Sequence, residues 1–500
     1  MSGDETPAKI TAFYDGKCPM CAAFVGSVAH SARKDEFDLR DMHAESSLPF
    51  AKDAIEKEIH VVDAGGRTHK GAAAIMTIVA RYPHLRWLAR TASFPLILPF
   101  LPIGYRLVAA NRRFLFGPGG RIFWLKVAVV LAFCLGLAMS SRVWIGPRSY
   151  PLTPVFDLFG SLLHLSDTVL FAALFALAAV ILVYPKPQKF IAAFVAIVAI
   201  FCLLDVTRLQ PWVYQYGLVV LTLGLFSWDS DDVTGRQRTL NIVRLIVAAT
   251  YVFSGLQKIN AEFIEQVFPD LVQPISDAVP VSAYPLYLAG FAAPFIQIAF
   301  GIGLLTRRFR RVSLIAAVAM HVFILAMLGP FGANWNSIVW PWTAALAAFD
   351  LLLFTGKEKF SLRDVLWTRR YPYHAAVLGL LAVAPLLSFF GLWDAYLSAA
   401  LYSGNLTEAF IYVTEEGKRV LPEDISRHLE ETAPGHYELD FGRWSVADLN
   451  VTPYPETRVY KRVAKQVCQR MRDSDDLVLV IREQRLFLGK PEAAYRCADL

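Results

Sequence analysis

The sequence predicts a membrane protein in three parts: an N-terminal α/β domain, an all-α polytopic bundle of about nine helices, and a small α+β tail. The chain of 500 residues is 55% hydrophobic and 18% charged, with a mean hydropathy of +0.41. A soluble chain of this size needs more polar surface than that. Long apolar runs begin after residue 120, and polar character returns near residue 405. We therefore expect domains at residues 8–117, 120–395 and 405–500.

Alternating patterns and turn residues predict the elements of the first domain. A Gly-rich turn at Ala64-Gly65-Gly66 indicates a hairpin. Residues 84–117 are apolar, Pro-rich and basic, which favours the membrane surface. The predicted elements are strands at Lys9–Tyr14 and Glu36–Met42, hairpin strands at Ile59–Asp63 and Arg67–Lys70, and helices at 18–33 and Ala72–Arg81.

The second part consists of apolar runs of about the 20 residues that cross a bilayer. The predicted spans lie at 122–141, 167–184, 189–205, 212–227, 240–257, 285–305, 312–328, 336–355 and 374–392. Every second predicted loop is rich in Lys and Arg, which places the N-terminus inside and the tail outside. The first residues are polar and acidic and do not resemble a signal peptide. We expect a multi-pass protein of a bacterial inner membrane whose partner is the lipid bilayer.

Charge and composition exclude other classes of partner. The net charge is +6, and no basic patch with interleaved aromatic residues indicates nucleic-acid binding. Six cysteines in 500 residues do not form a disulfide scaffold. Cys134 and Cys202 fall in predicted spans, where they are most simply small packing residues.

The tail is predicted to contain two strands, Ala409–Thr414 and Leu477–Arg482, and two helices, Leu421–Glu431 and Val459–Asp473. Cys468 and Cys497 both fall in this tail. If the tail lies outside, they can form a disulfide. Two unpaired thiols are the alternative.

A Cys-x-x-Cys motif, Cys18-Pro19-Met20-Cys21, follows the first strand through a short turn and opens a helix. A thiolate at a helix N-terminus is stabilised by free N–H groups and by the helix dipole, so its pKa falls. Lys17 adds a positive charge. Cys18 is then the expected attacking thiolate and Cys21 the resolving thiol, with a protein or a small thiol as redox partner. Half of a zinc site and a vestigial pair are the alternatives, and no further paired ligands indicate a metal.

This motif and its surroundings resemble the DCC family of predicted thiol-disulfide oxidoreductases. The resemblance implies a thioredoxin-like fold over residues 9–117, with Cys18 and Cys21 as the redox pair. Unlike thioredoxin, the sequence offers no clear candidate for the cis-proline that faces the pair. The residues that carry the resemblance are Tyr14-Asp15-Gly16, Cys18, Cys21, Val61-Val62-Asp63, Gly71-Ala72-Ala73-Ala74, Tyr105, Asn111-Arg112-Arg113 and Phe116-Gly117.

Polar residues in or beside the predicted spans are functional candidates, because such groups are costly in a bilayer. Most of them fall at the outer ends of the spans, which suggests one polar cavity there. Lys258 can also be a lysine that reaches the interface, His321 a satisfied core histidine, and Asp205 with Arg208 a structural ion pair. The candidates are Asp205, Arg208, Trp212, Gln257, Lys258, His321, Asn334 and Trp335.

A second resemblance concerns the helical part. Tyr251, Ser254-Gly255-Leu256-Gln257-Lys258-Ile259-Asn260, Phe263, Arg307-Arg308 and His321 look like the membrane domain shared with vitamin K-dependent gamma-carboxylase, the HTTM domain. The resemblance covers about residues 120–395. It implies that Lys258 is a candidate base, that His321 is a second candidate catalytic residue, and that a quinone-type lipid cofactor is bound. Because the tail is small, glutamate carboxylation is not implied.

Two hypotheses for the function follow. The first is an integral membrane thiol-disulfide oxidoreductase whose membrane domain binds a quinone-like or lipid substrate. The alternative is a transporter or an assembly scaffold with a redox-sensing cytoplasmic domain. The cysteine pair is predicted inside and the polar cluster outside, on opposite sides of about 30 Å of hydrocarbon. The two parts are therefore expected to work separately.

Overall fold

The computed structural model describes residues 9–31, 33–92, 94, 101–115, 120–156, 167–229, 231–278, 283–356, 360–367, 371–483 and 491–500. The chain divides into two compact units. The first unit contains residues 1–124 with the short segments 182–187 and 227–236, and the second contains the rest.

The first unit is built on a mixed four-stranded sheet with strand order β2-β1-β3-β4. Strand β1 pairs parallel with β2 and antiparallel with β3, and β3 and β4 form a hairpin. The N-terminal α/β domain is thus confirmed, with a mixed sheet. Its elements are β1 (Ile10–Tyr14), α1 (Pro19–Ala29), β2 (Phe37–Asp41), α2 (Lys52–Lys57), β3 (His60–Val62), β4 (Thr68–Lys70), α3 (Gly71–Val79), α4 (Arg86–Ala92) and α5 (Leu101–Leu115).

The core of this unit lies between the sheet and helices α1 and α3. Inward residues of the central strands, including Ile10, Ala12 and Val61, pack against Val28 of α1 and Ile78 of α3. Burial of these side chains fixes the sheet register, because a shift by one residue would turn them to the other face. The two helices are thereby held beside the C-terminal end of β1, where the cysteine motif begins.

The second unit begins with helices. Each of the nine segments predicted as spans contains an α-helix. Three of them, α6, α7 and α10, have residues in both units. The helices are α6 (Gly120–Met139), α7 (Asp167–Val183), α8 (Gln188–Leu204), α9 (Pro211–Gly224), α10 (Val233–Gln257), α11 (Ala283–Leu305), α12 (Arg310–Leu328), α13 (Val339–Phe354) and α14 (Pro372–Ser388).

Four helices of the described chain are long and apolar enough to cross a membrane: Gly120–Met139, Val233–Gln257, Pro285–Leu305 and Arg310–Leu328. These four fit a membrane protein. The other helices are shorter than the roughly 20 residues that span a hydrocarbon core. The count of nine crossings and the orientation of the termini stay predictions.

The tail carries a five-stranded antiparallel sheet with strand order β6-β7-β5-β8-β9. The two predicted strands are confirmed as β5 and β8. The predicted helix Leu421–Glu431 is too long: only the single turn Glu423–Ser426 is helical. Pro422 has no N–H for a helix that continues from Val420, and Glu430 already belongs to a strand. The elements are β5 (Glu408–Thr414), α15 (Glu415–Val420), β6 (Glu430–Ala433), β7 (His436–Asp440), α16 (Phe441–Leu449), α17 (Thr457–Cys468), β8 (Leu477–Arg482) and β9 (Glu492–Arg496).

Cys468, the last residue of α17, forms a disulfide with Cys497, which directly follows β9. The bond links the helix to the edge strand of the sheet across 29 residues of sequence. Cross-linking of this kind restricts the unfolded chain and stabilises the tail. The structure therefore favours the disulfide over the two unpaired thiols.

Candidate functional site

The cysteine motif lies at the N-terminus of α1, after the turn that follows β1. Cys18 is the N-cap of the helix, Pro19 is its first residue, and Cys21 lies in its first turn. The Cys21 backbone N–H donates to the Cys18 Sγ at 3.4 Å. Proline suits this position, because its fixed φ matches the helix and its missing N–H is not needed there. The sulfur of Cys18 thus meets a helix N-terminus, as predicted.

The turn before the pair is held by two carboxylates. Asp15 Oδ1 accepts from the Lys17 N–H at 3.0 Å and lies 2.9 Å from His43 Nε2. Asp41 Oδ1 accepts from the Gly16 N–H at 3.0 Å. A Cβ at Gly16 would lie 2.1 Å from Asp41 Oδ2, so only glycine allows this approach. These bonds fix the path of the chain into Cys18.

The two thiols have opposite acidities. The pKa of Cys18 is lowered to about 6, chiefly because the Cys21 thiol donates a hydrogen bond to its sulfur. Burial opposes the shift, while the Cys21 N–H and the Arg112 charge add to it. The pKa of Cys21 is raised because its thiol is the donor in that bond, with burial and the Cys18 charge adding to the rise. At neutral pH the pair is thus one thiolate and one thiol.

Arg112 supplies the positive charge near the pair, whereas the side chain of Lys17 is exposed. Arg112 lies in α5 and is 7% exposed. Its guanidinium donates to the carbonyl oxygens of Lys57, at 3.1 Å, and Glu56. Sequence reasoning used Arg112 only as part of the family motif. Its spacing of more than 90 residues from Cys18 gives no signal of proximity.

A groove of about 420 Å³ adjoins the pair. Its walls come from α1, α3 and α5 and from the residue before β3. Apart from the Cys21 thiol and the Tyr105 hydroxyl, the lining side chains are apolar. The lining residues are Met20, Cys21, Phe24, Ile59, Ala72, Ile75, Met76, Leu101, Gly104, Tyr105 and Val108.

Comparison with known families gives a match for residues 12–118, to the family described as DCC1-like thiol-disulfide oxidoreductase. This part of the chain is a DCC1-like domain. Neither the curated proteins nor the solved structures contain a match to the chain. The family match ends at residue 118, so the resemblance of the helical part to the HTTM domain stays a prediction. Phe116 and Gly117 of the sequence motif lie outside the described residues.

The other predicted catalytic residues lie in the second unit, outside the DCC1-like domain. Lys258 Nζ donates to the carbonyl oxygen of Ser254 at 3.0 Å and to its hydroxyl at 2.6 Å. His321 Nε2 lies 2.7 Å from the Tyr251 hydroxyl, which donates to Asp350 Oδ2 at 2.7 Å. The two predicted residues therefore have different partners. Asp350 escaped sequence reasoning, although a carboxylate inside a predicted span is a signal for such a residue.

Asp205 and Arg208 each form an ion pair with another residue. Arg148 Nη1 lies 2.7 Å from Asp205 Oδ2, and Arg208 Nη2 lies 3.2 Å from Asp167 Oδ2. Asp205 also accepts from the Thr153 hydroxyl at 2.8 Å. These contacts join α7 and α8 to the segment after α6.

The remaining predicted binding residues are dispersed. Trp212 packs edge-on against Phe133, at 5.6 Å between ring centroids. Gln257 donates to the Ser388 hydroxyl at 2.8 Å. Asn334 has a positive φ of 48° in the turn after α12. Trp335 lines a cavity of about 630 Å³ beside the tail sheet.

Proposed function

We propose that the chain is an integral membrane thiol-disulfide oxidoreductase that uses Cys18 and Cys21 as its redox-active pair. The observation that carries the proposal is the position of Cys18 as the N-cap of α1, where its sulfur accepts a hydrogen bond from the Cys21 N–H at 3.4 Å. This position, with the lowered pKa of Cys18, supports Cys18 as the thiolate and Cys21, one turn away in sequence, as its partner. The family match over residues 12–118 supports the same chemistry.

The test is equilibration of the full chain in detergent with glutathione redox buffers, followed by alkylation and mass analysis. We expect one internal disulfide at Cys18 and Cys21 to form and open reversibly. Cys18→Ser and Cys21→Ser should abolish the transition. Cys134→Ala and Cys202→Ala serve as matched controls, because these thiols lie elsewhere in the fold and should leave it unchanged.

Two outcomes would contradict the proposal. A pair that stays reduced in every buffer would indicate a vestigial motif. Stoichiometric zinc, released on alkylation of the pair, would indicate a metal site. Among the described residues, no group of three or more His, Cys, Asp and Glu side chains is placed to hold a metal ion.

Turnover separates an enzyme from a redox sensor. An enzyme should pass electrons between a thiol donor and a disulfide acceptor many times per chain. A sensor domain attached to a transporter or scaffold should exchange them once. If electron transfer stops after one exchange per chain, the alternative is favoured, namely a transporter or scaffold with a redox-sensing domain.

A ligand at Lys258 is a separate proposal. A quinone-type or lipid molecule there is supported by the resemblance of its sequence motif, and the Ser254 contacts hold its Nζ in place. Lys258→Met should weaken binding of a quinone analogue, with Lys189→Met as the control at another helix. Equal binding by both variants would remove this role. The thiol chemistry of the DCC1-like domain does not depend on the result.

A further inference from the structure

The two sulfurs of the pair differ in access. Cys18 is 3% exposed, whereas Cys21 is partly exposed and lines the apolar groove. An attack on a disulfide needs a clear approach to the sulfur that is attacked. The sulfur that an outside molecule meets first is therefore that of Cys21, although Cys18 is the thiolate.

The groove indicates the chemical class of that molecule. Phe24, Ile75, Met76 and Val108 present carbon surface beside the Cys21 sulfur. A volume of about 420 Å³ is within the usual range for small-ligand sites. Whatever covers this surface during exchange must carry a sulfur to Cys21, so its occupant is a thiol with an apolar group attached.

We propose that a substrate thiol bearing an apolar or aromatic group enters this groove and forms its mixed disulfide with Cys21, while Cys18 is the internal sulfur that leaves. This assignment rests on the proposed redox function and reverses the order expected from the sequence.

The chemistry begins from the oxidised pair. The substrate thiolate attacks the Cys21 sulfur, the Cys18–Cys21 bond breaks, and its electron pair stays on Cys18. A second substrate thiol loses its proton to solvent and attacks the substrate sulfur of the mixed disulfide. Cys21 then leaves with the electron pair and takes up a proton. The two substrate thiols are oxidised to one disulfide, and the enzyme disulfide, which is the oxidant, is reduced by two electrons.

The Cys18 sulfur is suited to be the leaving group when the Cys18–Cys21 bond breaks. A thiol of lower pKa is the better leaving group in exchange. The Cys21 N–H at 3.4 Å and the charge of Arg112 stabilise the thiolate as it forms. The buried position protects this thiolate from other disulfides, because only Cys21 opens to the groove.

Single-cysteine variants of the full chain in detergent test the order. Both are made in a Cys134→Ala, Cys202→Ala background, so that each chain keeps one thiol besides the Cys468–Cys497 disulfide. The probe is 4,4′-dithiodipyridine, whose release is followed by absorbance. Rates are divided by the thiolate fraction at each pH. Cys18→Ser, which retains Cys21, should react at least about 10-fold faster per thiolate than Cys21→Ser.

A measurement on the wild-type pair tests the same order without relying on variants that could misfold. The oxidised wild-type chain is mixed briefly with benzyl mercaptan, quenched in acid, and mapped by fragmentation. The adduct should lie on Cys21. An adduct on Cys18, or faster reaction per thiolate in Cys21→Ser, would overturn the assignment and leave the proposed redox function intact. That function fails only if the wild-type pair forms no reversible disulfide at all.

The preference of the groove for an apolar substrate is tested by comparing two thiols. The oxidised pair is reduced by benzyl mercaptan or by glutathione, and the ratio of the two rates is measured. Val108→Asp places a charge in the groove, and Ile103→Asp places one on the exposed surface of the same helix. We expect Val108→Asp to lower the ratio about 10-fold, since an apolar contact between the groove and the substrate is lost, and Ile103→Asp, which lies outside the groove lining, to leave it unchanged. An equal effect of both variants, or a wild-type ratio near unity, would contradict an apolar substrate.

Discussion

The acidity of the dithiol depends on single residues that are distant in sequence. The pair itself supplies the larger part, through the bond between the two thiols. Arg112 adds a charge from α5, although it lies far along the chain from the motif. Docking of α5 therefore adds to the acidity of Cys18, which links the chemistry of the motif to the packing of the domain.

Arg112→Met should raise the pKa of Cys18 above about 6, by up to roughly one pH unit, because a positive charge that favours the thiolate is removed. Thiolate absorbance near 240 nm as a function of pH measures the change in the reduced chain. Arg112→Lys is the matched control. Lysine retains the positive charge but, like methionine, cannot form the two guanidinium hydrogen bonds to the carbonyl groups of Lys57 and Glu56. If both variants titrate like the wild type, the charge of Arg112 has no part in the acidity of Cys18.

The sequence predicted those site residues whose pattern lies within a few neighbouring positions of the chain. The cysteines, the preceding turn and the helix start were predicted, because strand, turn and N-cap follow each other within a few residues. Arg112, Asp350 and the partners of Asp205 were missed as contacts, since distance along the chain does not reveal which helices pack together. The exposure of Cys21 relative to Cys18 was also out of reach, because it is set by α3 and α5 across the groove.

Among the elements, the hairpin leading into α3 places the groove wall. Gly71 is the first residue of α3 and has a φ of +54°. A Cβ there would meet Glu58 Oε2 at 2.7 Å and the Tyr105 ring at 3.2 Å. The Tyr105 hydroxyl in turn accepts from the Ile59 N–H at 3.1 Å. The glycine thus allows α3 to approach both β3 and α5.

Gly71→Ala should lower the free energy of unfolding of this domain by about 1–3 kcal/mol, from the left-handed backbone and the crowding together. Hydrogen exchange of the α3 and β3 amides in the full chain measures the loss of protection. Gly26→Ala is the control, because an added Cβ in the middle of α1 meets nothing within 4 Å. That change should increase helix stability by up to about 1 kcal/mol. Similar protection in both variants would show that Gly71 tolerates a side chain.

The elements of the tail were harder to predict than those of the first domain. Strands β5 and β8 lie at the centre of the sheet and carry the apolar alternation that marks a half-buried strand. Strands β6 and β9 are its edges and are largely exposed, so their sequences lack that pattern. The predicted helix Leu421–Glu431 is limited to the turn Glu423–Ser426, because Pro422 precedes its start and Glu430 pairs in β6.

The start of α17 carries a pH-sensitive group. Glu456 is its N-cap residue, and its carboxylate accepts from the Ala395 N–H at 2.9 Å. Burial raises the pKa of Glu456 to about 7, and the negative charge of Asp394 adds to the rise. A raised pKa means that the folded state favours the protonated form. The stabilisation is full below the ordinary pKa of 4.5 and is lost as pH rises through about 7.

We expect the melting temperature of the full chain to fall between pH 5 and pH 8, with a loss on the order of 1–3 kcal/mol in the tail. Glu456→Gln should flatten this dependence, because the amide mimics the protonated group at every pH. Glu423→Gln, an exposed glutamate in the same tail, should not. A wild-type profile that is flat, or that rises over this range, would contradict the assignment.

Over the whole molecule, the two cysteine pairs differ in their bonding. Cys18 and Cys21 are free thiols, and Cys468 and Cys497 are joined. Structural disulfides persist in oxidising compartments, whereas exchangeable dithiols are kept reduced in the cytosol. The predicted orientation, with the DCC1-like domain inside and the tail outside, would place each pair in the matching compartment. That orientation predicts an odd number of crossings, whereas the four long helices of the described residues alone would leave both ends on one side.

Labelling with a membrane-impermeant maleimide tests this parity in intact cells, after brief treatment with an impermeant reductant. We expect Cys468 and Cys497 to react from outside, and Cys21 to react only after permeabilisation, because the bilayer separates the two pairs. Variants that retain only one of the two cysteine pairs show which pair gives the labelling signal. A variant that lacks both pairs gives the background labelling. Labelling of both pairs from the same side would mean an even number of crossings. If instead the tail pair reacts from outside and Cys21 only after permeabilisation, the number of crossings is odd, and at least one of the shorter helices must cross the membrane together with the four long ones.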